Sequence, residues 1–479
     1  MMDVKMRIDG ASVDALDGRT LPVQNPATGE TIAVIPRGSV NDVHGAADAA
    51  ELAAPDWGST PMRTRGKILF TGAQTVRRNL EDLARQLTIE QGKPLKEATD
   101  EIRGFSNVLE YYAACSGLFS GEYIEPATGG EAIVRREPVG TCGAIIPWNM
   151  PAIIMAWKTA PALLAGNPVI LKPSSTAPLT VIALSEIMEQ AGIPAGILNV
   201  VTGTGEEAGK ALARERSIRV LSFTGSTETG KTVRELAAQR GTPVVCELGG
   251  SDPMVVMPDA DIDAAVKGAV NGRFYNAGQV CTAVKRLYVH DQIAGDFISR
   301  LEKAVADLTF GNGLEPGVRM GPLNNRAGQE EIGKLVDYTL ENFEGKIRSH
   351  GKPGQALAET GYFYPPTLIT NVPPWSRLFS EEVFGPILPV STVPDLGTAI
   401  KYANSSIYGL GASVWTQDIR VIREFFSQVQ AGVVWVNCHV TVPPEIPFGG
   451  TGESGTGREN GQYAIMNYTK SKTLYYGPL

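Results

Sequence analysis

The chain has 479 residues, 43% of them hydrophobic, which is enough for two or three separate cores. A formal net charge of −8 argues against a nucleic-acid partner, because binding a phosphate backbone needs clustered Lys and Arg. The five cysteines are scattered and show no C-x-x-C spacing, which argues against a disulfide framework and against a zinc site. We expect no bound metal.

In chain order, helical patterns come first, at 40–53 and 61–91, and the second is followed by a turn at 92–94. Short apolar runs then alternate with helical stretches. The predicted strands are 143–146, 168–171, 197–201, 220–223 and 243–246, and the predicted helices among them are 157–164 and 178–190. This alternation is typical of an α/β fold with mostly parallel sheets.

Several polar or glycine residues follow the ends of these strands, namely Asn149, Lys172, Gly225 and Glu247. Open parallel sheets bind ligands at the carboxyl ends of their strands. We therefore expect these four residues to share one cleft.

The longest apolar region, 144–165, contains three prolines, an asparagine and a lysine. A membrane-spanning helix needs roughly 20 consecutive apolar residues, so this region does not predict one. The first ten residues also lack the layout of a secretory signal. We expect a cytoplasmic protein with no membrane partner.

Two glycine patterns compete for a phosphate-binding role. Gly205 and Gly209 follow one predicted strand, but their spacing is not G-x-G-x-x-G. The segment 223–230, Phe-Thr-Gly-Ser-Thr-Glu-Thr-Gly, follows another strand and begins a helix, whose free N–H groups suit a pyrophosphate. From the residues alone, a plain strand-to-helix turn explains either pattern equally well.

Six further motifs occur along almost the whole chain. They are Pro147-Trp148-Asn149, Lys172-Pro173-Ser174, Glu247-Leu248-Gly249-Gly250, the segment from Asn276 to Cys281, the segment from Glu381 to Pro386, and Pro447-Phe448-Gly449-Gly450. In this order, and together with the 223–230 segment, they resemble the aldehyde dehydrogenase superfamily. The resemblance decides between the two glycine patterns, since 223–230 looks like the superfamily's cofactor loop.

The resemblance implies a role for three residues. Cys281 would attack the aldehyde carbonyl as a thiolate. The side chain of Asn149 and the backbone N–H of Cys281 would stabilise the resulting oxyanion. Glu247 would activate the water that hydrolyses the thioester, and its presence favours release of a free acid over transfer to coenzyme A. The four histidines lie outside these motifs, and His439 is expected to cap a strand end.

The resemblance also implies an NADP or NAD site. Lys172 and Glu382 would hold the two riboses, and Phe384 would lie against the nicotinamide. Ser175 stands where many NAD-preferring members carry an acid, so a 2′-phosphate is not repelled there and either cofactor fits. The other residues expected in this site are Ile146, Pro147, Trp148, Ser174, Gly205, Gly209, Phe223, Gly225, Ser226 and Leu248.

The substrate pocket is expected to contain Met150, Ile153, Trp157 and Val442, although Trp157 would suit a buried helix equally well. Succinic semialdehyde and lactaldehyde enzymes of the superfamily commonly carry Arg where this chain has Trp157. An uncharged or cationic aldehyde is therefore favoured over an acid semialdehyde. Arg273 would bind an anionic group if its helix faces the pocket, which keeps a succinic semialdehyde enzyme as an alternative. Small residues at 440–445 would leave room for a hydroxyaldehyde with water, which keeps a lactaldehyde or glyceraldehyde enzyme as another.

The resemblance implies a Rossmann-like cofactor-binding domain (1–120 and 140–249), an α/β catalytic domain (250–466) and a β-strand oligomerisation arm (121–139 and 467–479). The β-prone end of the arm would leave an unpaired edge in a monomer, which predicts a homodimer or homotetramer. A non-catalytic cofactor-binding protein is the alternative from another class, and it would require a broken site.

Overall fold

The computed structural model describes residues 2–118, 121–355 and 357–478. Met1, Phe119, Ser120, Ala356 and Leu479, which belong to the predicted domain and arm ranges, lie outside the described residues. The architecture is mixed α/β, with two large sheets and helices packed on them, which confirms the predicted fold class. None of the helices in the described ranges combines the length and the apolar character that crossing a membrane requires.

The strands are β1 (Met2–Asp3), β2 (Met6–Ile8), β3 (Ala11–Val13), β4 (Thr20–Gln24), β5 (Thr31–Pro36), β6 (Glu122–Ile124), β7 (Glu131–Pro138), β8 (Cys142–Ile145), β9 (Val169–Lys172), β10 (Leu198–Val200), β11 (Val220–Thr224), β12 (Val244–Glu247), β13 (Asp252–Val256), β14 (Val284–His290), β15 (Thr309–Phe310), β16 (Lys346–His350), β17 (Lys352–Pro353), β18 (Thr367–Thr370), β19 (Ile387–Val393), β20 (Tyr408–Gly409), β21 (Gly411–Trp415), β22 (Val433–Val436), β23 (Thr451–Gly452), β24 (Gly455–Thr456) and β25 (Thr469–Tyr476).

The helices are α1 (Val40–Ser59), α2 (Met62–Arg78), α3 (Leu80–Gln91), α4 (Leu95–Cys115), α5 (Pro151–Ala165), α6 (Leu179–Gln190), α7 (Lys210–Arg214), α8 (Thr227–Ala238), α9 (Ile262–Phe274), α10 (Asp291–Ala306), α11 (Arg326–Asn342), α12 (Arg377–Ser380), α13 (Leu396–Ala403), α14 (Ile419–Gln428) and α15 (Tyr463–Asn467). A π-helical turn at Gly205–Gly209 precedes α7, and a 3₁₀ turn at Tyr275–Gly278 follows α9.

The first large sheet has eight strands in the order β24-β12-β11-β8-β9-β10-β2-β3. Its five central strands are parallel and fully or almost fully buried, as expected for strands covered by helices on both faces. The chain order reverses between β8 and β11, so their carboxyl ends flank a crevice. The antiparallel strand β24 joins this sheet from the C-terminal part of the chain, beyond the range predicted for the cofactor domain.

The second large sheet has seven strands in the order β16-β18-β19-β14-β13-β21-β22, all parallel except the edge strand β16. It has its own core, centred on β13 and β14. Strands β6, β7 and β25 form a separate three-stranded sheet within the predicted arm ranges, and β25 lies at its edge.

The prediction of one helix over 61–91 was wrong, because two helices meet at Asn79. Its backbone leaves the helical range at φ −103° and ψ 18°, and its side-chain amide donates to the Thr75 carbonyl at 2.8 Å. Such local hydrogen bonds give the backbone an alternative to the helical ladder. The second helix, α3, ends at Gly92, which has a φ of 104° and begins the predicted turn.

Candidate active site

Cys281 lies between the two large sheets, in the loop that enters β14. The chain approaches it through three consecutive residues with left-handed backbone, Asn276 (φ 51°), Ala277 (φ 54°) and Gly278 (φ 75°). A Cβ at Gly278 would lie 2.4 Å from the carbonyl oxygen of Gly385, so this position needs glycine. Left-handed non-glycine residues are strained and cluster at functional sites. The segment is therefore held in a turn that presents the thiol.

Asn149 follows β8 and is brought to the Cys281 loop. Its side-chain amide donates to the Gln279 carbonyl at 3.0 Å, which leaves the second amide hydrogen for another acceptor. Its own carbonyl accepts from Lys93 Nζ at 2.7 Å and from Asn276 Nδ2 at 3.0 Å. Asn149 is 5% exposed, so these contacts fix both its backbone and its side chain.

Lys93 and Glu101 form a buried ion pair beneath Asn149 that the sequence analysis did not identify. The Glu101 carboxylate also accepts from the N–H groups of Ala152 and Ile153, at 2.8 and 3.3 Å, at the start of α5. A carboxylate at a helix N-terminus is stabilised by the free N–H groups and the helix dipole. The pair therefore ties the Asn149 turn to α4 and α5.

Lys285 is a second buried cation beside the nucleophile, again not identified from the sequence. Its ammonium donates to the carbonyls of Val280, at 3.0 Å, and of Cys281. It also lies 3.4 Å from the carboxylate of Glu382. Burial and the Glu247 carboxylate raise the pKa of the Cys281 thiol, whereas the Lys285 ammonium lowers it.

Glu247 is the last residue of β12 and is 2% exposed. Burial and, to a smaller extent, the Glu459 carboxylate raise its pKa well above the usual range, and Lys158 opposes the shift. One Glu247 oxygen, Oε1, has no hydrogen-bond partner among the described residues. A Cβ at Gly449 would lie 3.3 Å from this oxygen, so the glycine keeps space beside it. An unpaired buried carboxyl with a raised pKa suits a general base.

A cavity of about 370 Å³ opens onto Cys281 and Asn149. The structure places Met150, Ile153, Trp157 and Val442 along its wall, as expected for a substrate pocket. The Trp157 ring packs on that of Phe448, with centroids 5.2 Å apart. The wall also contains residues that were not assigned from the sequence, namely Asp100, Glu101, Ile154, Asn271, Tyr275, Val280, Thr282, His439, Val440 and Phe448.

The structure contradicts the assignment of Arg273 to the substrate pocket. The side chain is fully buried, and its guanidinium donates to the backbone carbonyls of Val284, Val383 and Gly385. Arg273 lies at the C-terminal end of α9, where a cation is favoured by the helix dipole. It joins the start of β14 to the segment that precedes β19, and it is absent from the cavity wall.

The residues expected to bind the nicotinamide end border a second cavity, of about 590 Å³. Trp148 and Phe384 meet edge to face there, with centroids 5.7 Å apart. Glu382 lies beside them and accepts a hydrogen bond from the Gly250 N–H at 3.0 Å. Ile146, Pro147 and Leu248 flank the strand ends that lead to this cavity, at β8 and β12.

The residues expected at the adenosine end gather around the ends of β9 and β11. Lys172 is 4% exposed, and burial lowers its pKa to about 8. The aliphatic part of its side chain passes Gly209, where an added Cβ would lie 3.6 Å from Lys172 Cδ. Gly205 begins the π-helical turn that ends at Gly209, and Ser174 and Ser175 follow β9. Lys172 is thus a buried cation at the end of β9, and its ammonium donates to the Pro173 carbonyl at 2.7 Å.

The segment 223–230 forms the turn between β11 and α8. A Cβ at Gly225 would lie 2.6 Å from the ring of Phe223, so the ring passes directly beneath the turn. Ser226 caps α8, with its hydroxyl accepting from the Thr229 N–H. Helix α8 therefore begins directly after the carboxyl end of β11, the position at which a helix N-terminus favours an anion.

No group of three or more His, Cys, Asp and Glu side chains in the described part of the chain is arranged to hold a metal ion. The site instead combines a thiol and an amide at one cavity, a buried carboxyl near enough to raise the pKa of that thiol, and a second cavity beside them. The sequence model of the aldehyde dehydrogenase family matches residues 13–474. The chain belongs to the aldehyde dehydrogenase family. It is therefore an oxidoreductase that acts on aldehydes.

Relatives of this aldehyde dehydrogenase differ in the charge of the aldehyde that their names specify. The chain is 40% identical to phenylacetaldehyde dehydrogenase of Pseudomonas fluorescens, over 98% of this chain and 95% of that protein. It is 38% identical to glutarate-semialdehyde dehydrogenase of Pseudomonas aeruginosa, over 98% of this chain and 97% of that protein. The crystal structure of betaine aldehyde dehydrogenase from Staphylococcus aureus in complex with NAD⁺ superimposes with a TM-score of 0.95 at 34% identity. The match covers 99% of this chain and 94% of that one.

Proposed function

We propose that this enzyme oxidises an aldehyde to the carboxylic acid with NAD⁺ or NADP⁺ through a thioester on Cys281. The observation that carries the proposal is the convergence of the Cys281 thiol and the Asn149 amide on one cavity, with the unpaired Glu247 carboxyl within electrostatic reach of the thiol. These three groups meet the needs of nucleophilic attack, oxyanion stabilisation and hydrolysis.

The reaction begins when Cys281, as the thiolate left after its proton has passed to solvent, bonds to the aldehyde carbon and the carbonyl oxygen becomes an oxyanion. The free amide hydrogen of Asn149 and the N–H of Cys281 stabilise this charge. NAD(P)⁺, which Lys172, Glu382 and Phe384 would hold, would supply the hydride acceptor. Loss of the hydride from that carbon leaves a thioester on Cys281. Glu247 then takes a proton from water, the water attacks the thioester, and the acid and the thiol are released.

We propose an uncharged or cationic aldehyde as substrate. Three aromatic rings, of Trp157, Tyr275 and Phe448, border the cavity, and no Lys or Arg of the described residues lies in its wall. Asp100 borders it, but its carboxylate is partly exposed and paired with Lys96 and Arg103, neither of which lines the cavity. An anionic aldehyde would therefore find no cation in the wall itself to compensate for its lost hydration. An apolar or cationic group is favoured by the aromatic faces.

The test compares aldehydes that match in length and differ in charge, such as pentanal, an ω-aminoaldehyde and glutaric semialdehyde. Reduced-cofactor absorbance should show a kcat/KM at least about tenfold higher for the uncharged or cationic aldehyde than for the acid semialdehyde. A preference for the acid semialdehyde would overturn the substrate class but not the reaction. An absence of turnover with every aldehyde and both cofactors would overturn the reaction itself.

We also propose that Ser175 permits the use of NADP⁺, because it places no negative charge near Lys172. Ser175→Glu is expected to raise the KM for NADP⁺ by roughly tenfold or more, since a carboxylate would repel the 2′-phosphate. The KM for NAD⁺ should change by less than about threefold. Ser175→Ala is the matched control and should leave both values nearly unchanged. An equal effect of Ser175→Glu on both cofactors would show that the residue does not face the 2′ position.

The proposal includes a homodimer or homotetramer. Strand β25 pairs with β7 on one side only, and Leu474, Tyr475 and Tyr476 at its end are about half exposed. An open edge with exposed apolar side chains favours pairing with another chain. The mass measured by light scattering in solution distinguishes one, two and four chains.

A further inference from the structure

His439 lies in the wall of the cavity, in the loop that follows β22, and both of its ring nitrogens are engaged. Nε2 is 2.9 Å from the carbonyl oxygen of Thr282, and Nδ1 is 2.8 Å from the hydroxyl of Ser413. A carbonyl oxygen can only accept, so Nε2 carries the hydrogen and Nδ1 accepts from the Ser413 hydroxyl. The ring has no lone pair left with which to take a proton from substrate or water.

The backbone around His439 is strained on both sides. Asn437 has a φ of 53° and Val440 a φ of 62°, which is costly for a β-branched residue. The turn is nevertheless pinned, because Asn437 exchanges two hydrogen bonds of 3.0 Å with the backbone of Thr416. The Trp435 ring lies 4.9 Å from the imidazole. Strain that the surroundings enforce is a signal of function.

The imidazole acts on the peptide next to the nucleophile. Thr282 directly follows Cys281, and its carbonyl is the one that His439 holds. The two preceding carbonyls, of Val280 and Cys281, are held by Lys285. Three successive peptide groups are thereby fixed, and with them the direction of the Cys281 N–H. Within the described residues, this N–H has no hydrogen-bond acceptor.

We propose that His439 is a positioning residue for Cys281. Through its hydrogen bond to Thr282, with its ring also held by the Ser413 hydroxyl, it keeps the thiol and the Cys281 N–H in the orientation that aldehyde attack requires. The proposal rests on the proposed function of the site. In this role His439 connects the loop after β22, which also supplies Val440 and Val442 to the cavity wall, to the nucleophile. It transfers no proton.

The test uses three variants, His439→Ala, His439→Gln and Ser413→Ala. Two rates are measured, kcat/KM for the aldehyde and the alkylation of the Cys281 peptide by iodoacetamide, followed by mass spectrometry. His439→Ala should lower both by about 10- to 100-fold, since a small misplacement of reacting groups has effects of that size. The KM for the cofactor should stay within about twofold. His439→Gln, which keeps an N–H donor, should recover most of the loss, and Ser413→Ala should be intermediate.

His350→Ala is the matched control, because His350 lies on β16, at the opposite edge of the same sheet from β22. The pH profile of kcat/KM should keep its shape in all variants. Rates within about twofold of wild type in folded His439→Ala would overturn the proposal, as would the loss of one limb of the profile. If His439→Ala does not fold, unchanged alkylation in Ser413→Ala overturns it. Alkylation reports on the thiol even if no aldehyde is turned over. A failure of the proposed function can therefore be told apart from a failure of the role proposed for His439.

Discussion

Replacement of Cys281 by alanine is expected to lower kcat by more than about 10,000-fold, because the covalent route through the thioester is lost. Alanine fills less space than cysteine at a position that is open to the cavity, so the packing around it changes little. Both large sheets and the cofactor cleft should remain intact. Turnover is measured by reduced-cofactor absorbance, and cofactor affinity by titration calorimetry, which should give an unchanged Kd.

Cys115→Ala is the control for this substitution. Cys115 is buried at the end of α4, remote from the cavity wall, and its replacement should leave turnover per folded molecule nearly unchanged. If Cys281→Ala retained turnover, the nucleophile would have to be another group. Loss of cofactor binding together with turnover would instead show that the substitution disturbed the cleft.

The parallel sheet around the cofactor cleft could be predicted from the sequence because its signals are local. Each strand from β8 to β12 is a short apolar run bounded by glycine or proline, and buried strands need such runs. The carboxyl ends of these strands then lie on one edge, which is why Asn149 and Glu247 were expected to approach each other. The roles of these residues, by contrast, came from the resemblance.

The contacts that hold the site could not be predicted, because they join residues far apart in the sequence. Lys93 reaches the Asn149 turn from the start of α4, and His439 reaches Thr282 across 157 positions. The neighbours of His439 in the sequence, a cysteine and a valine, give no signal that its ring bonds to Thr282. Arg273 was assigned wrongly for the same reason, since its acceptors at Val383 and Gly385 lie more than 100 positions away.

Replacement of Glu247 by glutamine is expected to separate hydride transfer from hydrolysis. Glutamine keeps the size of the side chain but cannot take a proton from water, so the thioester should accumulate. A burst of about one reduced cofactor per active site should be followed by a steady rate lower by roughly 100- to 10,000-fold. Rapid-mixing absorbance measures the burst, and mass spectrometry of the quenched protein identifies the acyl group on Cys281.

The pH dependence of the steady rate tests the role of Glu247 as a base in a second way. Burial and Glu459 raise the pKa of Glu247, so the carboxylate that acts as base forms only as the pH rises through that value. The wild-type steady rate should therefore fall on the acid side, and Glu247→Gln should abolish this limb. Glu90→Gln is the matched control, since Glu90 is also fully buried, with a pKa raised to about 7, but caps α6. It should keep the wild-type profile.

The rate of the burst decides at which step Glu247 acts. The carboxyl also interacts with the Cys281 thiol, whose pKa it raises, so it is close enough to influence the attack itself. If Glu247 serves only hydrolysis, its replacement leaves the burst rate nearly unchanged. A burst that slows in proportion to the steady rate would mean that Glu247 takes the thiol proton before hydride transfer. In that case Lys285 would remain as the charge that favours the thiolate. The pH dependence of the burst rate in Glu247→Gln would then follow the ionisation of the Cys281 thiol alone.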